Sequence, residues 1–120
     1  MDRKRLTYGE ARLMQLIWDG EPLPSGTLVE LCLHELGWKK STSYTMLKKL
    51  VDKGYVRNEN AVVSACVSRA DAQAEESNFV VESSFSGSLP GFLVSFLGGK
   101  TISDTEAEEL KALIDAHREH

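Results

Sequence analysis

The sequence predicts a mostly α-helical protein with one small β-hairpin. Three observations carry that expectation. Apolar residues recur at i, i+3, i+4 spacing over much of the 120-residue chain. The stretch YVRNENAVVSACVS at 55–68 changes to β-branched alternation. The two helical segments before it meet at a tight turn that contains glycine, GWKK at 37–40. Two helices around such a turn make a helix-turn-helix, and a hairpin directly after the second helix makes it a winged one. The expected organisation is a winged helix-turn-helix over 1–68 followed by a helical region over 69–120.

Residues 7–18 read as an amphipathic helix. Thr7 is placed to cap it, Glu10 three residues on completes a capping box, and Leu13, Leu16 and Ile17 form the apolar stripe. Trp18 is expected to close the helix before Asp19-Gly20, and EPLPSG at 21–26 reads as a Pro/Gly loop. A second helix starts at Ser25 or Thr27 with Leu28, Leu31, Cys32 and Leu36 on one side, and Gly37 ends it. A third runs from about Ser41 to Lys53, stopped by Gly54, with Leu47, Leu50 and Val51 as its buried stripe. The hairpin is expected to pair Tyr55–Arg57 with Ala61–Val67 around a turn near Asn58–Asn60.

The second half turns helical again. Ser68 can cap a helix over 69–86, with Asp71 at its third position. Pro90 starts a short helix that ends at Gly98-Gly99. The last helix carries Ser103 at its cap, Glu106 three residues on, and Leu110, Leu113 and Ile114 as its stripe.

Composition excludes several classes. The 42% apolar content suits a globular core. No apolar run approaches the roughly 20 residues that span a bilayer, so no membrane insertion is expected. The N-terminus lacks the apolar segment of a secretory signal, and the expected location is the cytoplasm. Cys32 and Cys66 are isolated and are expected to be reduced thiols, Cys32 as a small core residue. His34, His117 and His120 have no ligand spacing to one another or to a cysteine. No metal site, no cofactor and no catalytic motif is expected, and the chain does not read as an enzyme.

The charge is unevenly placed. The chain carries net −4, yet residues 1–57 sum to +3 and residues 58–120 to −7. Residues 37–57 alone hold six Lys/Arg against one acid, Asp52. A helix inserted into a DNA groove needs cations on its outer face and at its flanks, because phosphates line the groove on both sides. Lys39, Lys40, Lys48, Lys49 and Arg57 occupy those places, and Ser41, Thr42, Tyr44 and Thr45 bring hydroxyls among them. These nine residues form the candidate DNA-binding set. The competing reading is a winged-helix module that binds another protein without reading DNA. In the C-terminal region Phe79, Phe85, Phe92, Leu93, Phe96, Leu97, Leu110, Leu113 and Ile114 are more apolar groups than short exposed helices carry, which marks them as a dimerisation surface.

With LMQLIW at 13–18, GW at 37–38, TSYTMLKKLVDKG at 42–54 and LVSFLGGKTISDTEAEELKALI at 93–114, the chain resembles the penicillinase-repressor (BlaI/MecI/CopY) family of bacterial transcription factors. That resemblance implies a homodimeric repressor in which each winged helix reads half of a dyad operator on double-stranded DNA, controlling β-lactam-resistance-type or other stress genes. It carries DNA contact onto Thr42, Thr45 and Lys49. It also implies a membrane sensor protease as a partner, cutting before the final helix, and alignment on ISDTEAEEL places that bond at Ser95–Phe96. This chain departs from the family at the wing tip, NENAVVSACVS, at Ser43 where Val or Ile is usual, and in lacking a C-terminal CxC pair.

Overall fold

The computed structural model describes residues 3–119; Met1, Asp2 and His120, the last of the three histidines, lie outside the described residues. Thr7 caps the first helix, α1 (Tyr8–Gly20), and the capping box forms in both directions: the Thr7 hydroxyl accepts the Glu10 N–H at 3.2 Å, and a Glu10 carboxylate oxygen accepts the Thr7 N–H at 2.8 Å. The helix runs two residues past its expected end at Trp18. The Glu21 N–H still reaches the Ile17 carbonyl at 2.8 Å, so Asp19 and Gly20 complete a turn before Pro22 removes the next donor. Leu13, Met14 and Ile17 are buried, and Leu16 lies at the edge of the core.

The segment expected as a plain loop contains a two-residue strand, β1 (Leu23–Pro24). Leu23 is buried, and Pro24, which has no N–H, sits on an edge strand, where sheets tolerate proline. Helix α2 (Ser25–Leu36) follows, with Leu28, Val29 and Cys32 inside. Gly37 ends it at φ 69°, its N–H bonding back to the Leu33 carbonyl at 3.1 Å and the Trp38 N–H to the Cys32 carbonyl at 3.2 Å, a glycine C-cap in the left-handed conformation.

Helix α3 (Lys40–Asp52) buries Ser43, Leu47 and Leu50. Val51, expected in that stripe, is 38% exposed. The spacing i, i+4, i+7 of the three buried residues swings the inner face toward Ser43 and leaves Val51 on the flank beside Tyr44. The Ser43 Oγ is buried beside the Cys32 thiol and has no hydrogen-bond partner among the described residues.

Strands β2 (Val56–Glu59) and β3 (Val62–Ala65) pair antiparallel from Val56↔Ala65 to Glu59↔Val62. That register leaves a two-residue turn, Asn60-Ala61, with φ of 53° and 60°. Positive φ at both positions is the geometry of a type I′ hairpin turn. The sequence hid it because alanine stands where glycine is usual. Strand β1 joins the other side of β3, Leu23↔Val63, giving the sheet order β1-β3-β2. Three helices and this sheet enclose one core that also takes in Tyr55, Val56, Val67 and Ala72.

Helix α4 (Arg69–Phe85) begins where Ser68 accepts the Asp71 N–H at 3.1 Å. Its start is fixed to α1: Arg69 pairs with Asp19 at 2.6 Å and lies over the Trp18 ring, whose Nε1 donates to the Val67 carbonyl at 2.9 Å. The chain divides into two compact units that meet between Asn78 and Phe79, inside α4. The second unit holds the end of α4, α5 (Leu89–Leu97) and α6 (Asp104–Ala116). Ser88 and Ser103 cap the latter two. Phe92 meets Phe85 edge-on at 5.5 Å and stacks on Phe96 at 5.9 Å. No described residue from Phe79 onward is buried.

Candidate nucleic-acid interface

The candidate face is the outside of α3. At 100° per residue Ser41, Thr42, Thr45, Lys48, Lys49 and Asp52 fall within an arc of about 120°, opposite Ser43, Leu47 and Leu50. All six are exposed. Tyr44, on the flank of that arc, is 39% exposed. Lys39 is the N-cap residue and Lys40 opens the helix; the Lys39 side chain makes no cap bond, so the first-turn amides have no side-chain acceptor. Such an end attracts anions through its free N–H groups and the helix dipole. Trp38 and Met46 pack over Gly9 of α1, where an added Cβ would stand 3.2 Å from Met46 Cε. That close approach holds the turn and the start of α3 against the core.

The lysines of residues 37–57 separate into two kinds. Lys39, Lys40, Lys48 and Lys49 form no ion pair among the described residues. Lys53 instead turns inward. Its Nζ donates to buried Glu10 at 2.5 Å and to the Arg5 carbonyl at 3.0 Å. Burial pushes the Glu10 carboxyl up, but hydrogen bonds from Lys53 and Thr7 outweigh it and hold the group below its ordinary value. This cation is structural, and nothing in the local spacing separates it from Lys48 and Lys49.

Arg57 stands exposed on β2 of the wing, opposite Ser64 in the register. The neighbouring Cys66 and the Glu59 carboxylate raise its pKa above the ordinary arginine value. The turn that follows, Asn60-Ala61, brings no cation to the wing tip.

The chain before α1, for which the sequence sets no structural expectation, is also fixed in place. The Tyr55 hydroxyl donates to the Lys4 carbonyl at 2.9 Å, Arg3 pairs with Glu75 and Arg5 with Glu76, each at 2.5 Å. Arg3, Lys4, Lys49, Asp52 and Lys53 line an open cleft of about 380 Å³. The signal for it in the sequence is the basic run Arg3-Lys4-Arg5, whose place beside α3 is a matter of tertiary structure.

In the second unit Phe79, Phe96, Leu110, Leu113 and Ile114 are exposed, while Phe85, Phe92, Leu93 and Leu97 are half-buried. Leu89 and Val94 add to the exposed apolar surface. Ser95 and Phe96 lie in the last turn of α5, both exposed. Among the described residues no group of three or more His, Cys, Asp or Glu side chains could hold a metal ion, and no single helix is long and apolar enough to cross a membrane.

Comparison with known proteins adds two findings. A family model described as penicillinase repressor matches residues 6–116. The chain is also similar to the penicillinase repressor of Bacillus licheniformis, with 20% identity over 118 residues that cover 95% of this chain and 92% of that protein.

Proposed function

The chain belongs to the penicillinase repressor family of bacterial transcriptional repressors, and from that premise we propose that it works as a homodimer that holds a dyad operator through two winged helices. The family is one of DNA-binding regulators, not of enzymes. The observation that carries the operator reading is the outer face of α3. Lys48 and Lys49 stand there with no carboxylate partner among the described residues, beside Thr42 and Thr45, while the acids of the chain concentrate in its other half. Lysines so placed neutralise phosphates on either side of the groove, and the threonines reach base edges or phosphates. Lys39, Lys40 and the first-turn amides of α3 extend the contact at one end, and Arg57 does so from the wing.

Dimerisation is supported by the second unit. Its helices carry Phe92, Leu93, Phe96, Leu97, Leu110, Leu113 and Ile114 and bury none of them. An exposed apolar surface of this kind fits a second copy, and a two-fold protein matches a two-fold site. Release by a sensor protease fits the same architecture. A cut at Ser95–Phe96 removes Phe96, Leu97 and all of α6 and leaves the winged helix whole. The working place of such a regulator is the cytoplasm, with the DNA.

The test is enrichment of genomic duplex fragments on the full chain at low salt, followed by a salt titration on the enriched sequence. Log affinity falling linearly with log salt supports the reading. In Lys48→Ala/Lys49→Ala the slope should shrink by about one for each phosphate no longer neutralised, with the fold intact. Enrichment of no duplex would leave the protein-binding reading of the winged helix in its place.

A further inference from the structure

The N-terminal arm is tied down at four points, and the way its charges are shared is uneven. Arg3 and Arg5 are both matched by acids of α4, Glu75 and Glu76. Arg3 also lies over the Tyr55 ring at 5.7 Å, and the backbone is gripped at the Lys4 carbonyl by the Tyr55 hydroxyl and at the Arg5 carbonyl by Lys53. Lys4 is thus held between two anchored neighbours, with its ammonium exposed and with no ion-pair partner among the described residues. It lines the same cleft as Lys49, one of the lysines on the outer face of α3. Arg3 and Lys53, also in the lining, are matched by Glu75 and Glu10, and Lys4 and Lys49 outnumber the remaining acid, Asp52, by one.

We propose that Lys4 and Lys49 together clamp one backbone phosphate of the bound duplex in this cleft, so that the N-terminal arm is a second DNA-contacting element beside the recognition helix. The proposal rests on the duplex binding argued above and adds a residue and an element to it. An arm whose backbone is already bonded loses little freedom when its lysine closes on a phosphate, which is the advantage of a pre-organised contact. The contact is to phosphate alone. It positions the protein without reading sequence, and it weakens with salt like any other. Asp52 opposes it from the cleft wall.

The experiment uses the full chain and its enriched duplex, with three single variants checked for unchanged helical content. Lys4→Ala is expected to bind about five- to tenfold more weakly at 0.1 M salt and to show a shallower salt slope than the parent. Asp52→Asn is expected to bind more tightly than the parent. Arg118→Ala, which removes the same charge from beyond the end of α6, is the control and is expected to bind like the parent. A parent chain that binds while Lys4→Ala keeps its affinity and slope overturns the phosphate clamp and leaves the operator reading standing. An equal loss in Lys4→Ala and Arg118→Ala overturns it too, because the effect is then one of net charge. A parent chain that binds no duplex removes the operator reading and the clamp with it.

Discussion

Ser43 is a hydroxyl in the middle of the apolar stripe of α3, 2% exposed and without a hydrogen bond. A buried polar atom left unpaired costs about 1–3 kcal/mol. Ser43→Ala removes that cost and little volume, and chemical denaturation should show a gain of about 1 kcal/mol. A drop in stability would mean that the Cys32 thiol does satisfy the hydroxyl. Glu10 shows the opposite arrangement, a buried carboxylate whose Oε1 accepts from both the Thr7 N–H and the Lys53 ammonium. Its folded-state proton affinity is depressed, so the unfolded chain takes the proton more readily. The resulting stability is complete at neutral pH and is lost as pH falls from the ordinary glutamate range, about 4.3, through the lower folded value. Glu10→Gln should cost about 2 kcal/mol at pH 7, and the gap to the parent should close in denaturation curves taken below pH 4. A gap that does not change with pH would contradict the ionised pair.

At the scale of elements, most helices were legible because each carries its own start signal. Thr7, Ser68, Ser88 and Ser103 all accept the N–H three residues on, and those caps are written in adjacent residues. What was illegible depends on partners distant in the chain. Strand β1 exists because β3, forty residues later, offers Val62 and Val63 to it, and a segment of two residues has no periodicity to read. Val51 has the spacing of a core residue, but Ser43 turns the inner face away from it. The basic face of α3 was legible from spacing, but the inward turn of Lys53 and the docking of the arm at Tyr55 needed the fold. The wing turn belongs here too. Asn60-Ala61 takes a left-handed conformation at both positions, which costs alanine roughly 1–2 kcal/mol over glycine. Glycine gives back part of that in unfolded-chain entropy, so Ala61→Gly should raise the stability by about 0.5 kcal/mol. A lower melting midpoint would show that the turn is not of this type.

For the molecule as a whole, the division at Asn78–Phe79 separates a unit with a core from one without. The 1–95 fragment keeps the first unit intact. It is expected to be monomeric by sedimentation, to retain the winged-helix structure, and to bind a dyad duplex at least about tenfold more weakly than the full chain, because the second half-site contact is no longer intramolecular. A fragment that stays dimeric would take α6 out of the assembly. The coreless second unit has a further consequence. A segment of some forty residues with nothing buried lies below the size that stabilises itself, so in the proposed dimer its order is lent by mass action and scales with the logarithm of protein concentration. Below the dissociation constant of the dimer proposed above, pairs able to hold the proposed operator vary as the square of the number of chains. Halving synthesis would then cut occupancy by about four, and the cell could open the gene by dilution during growth.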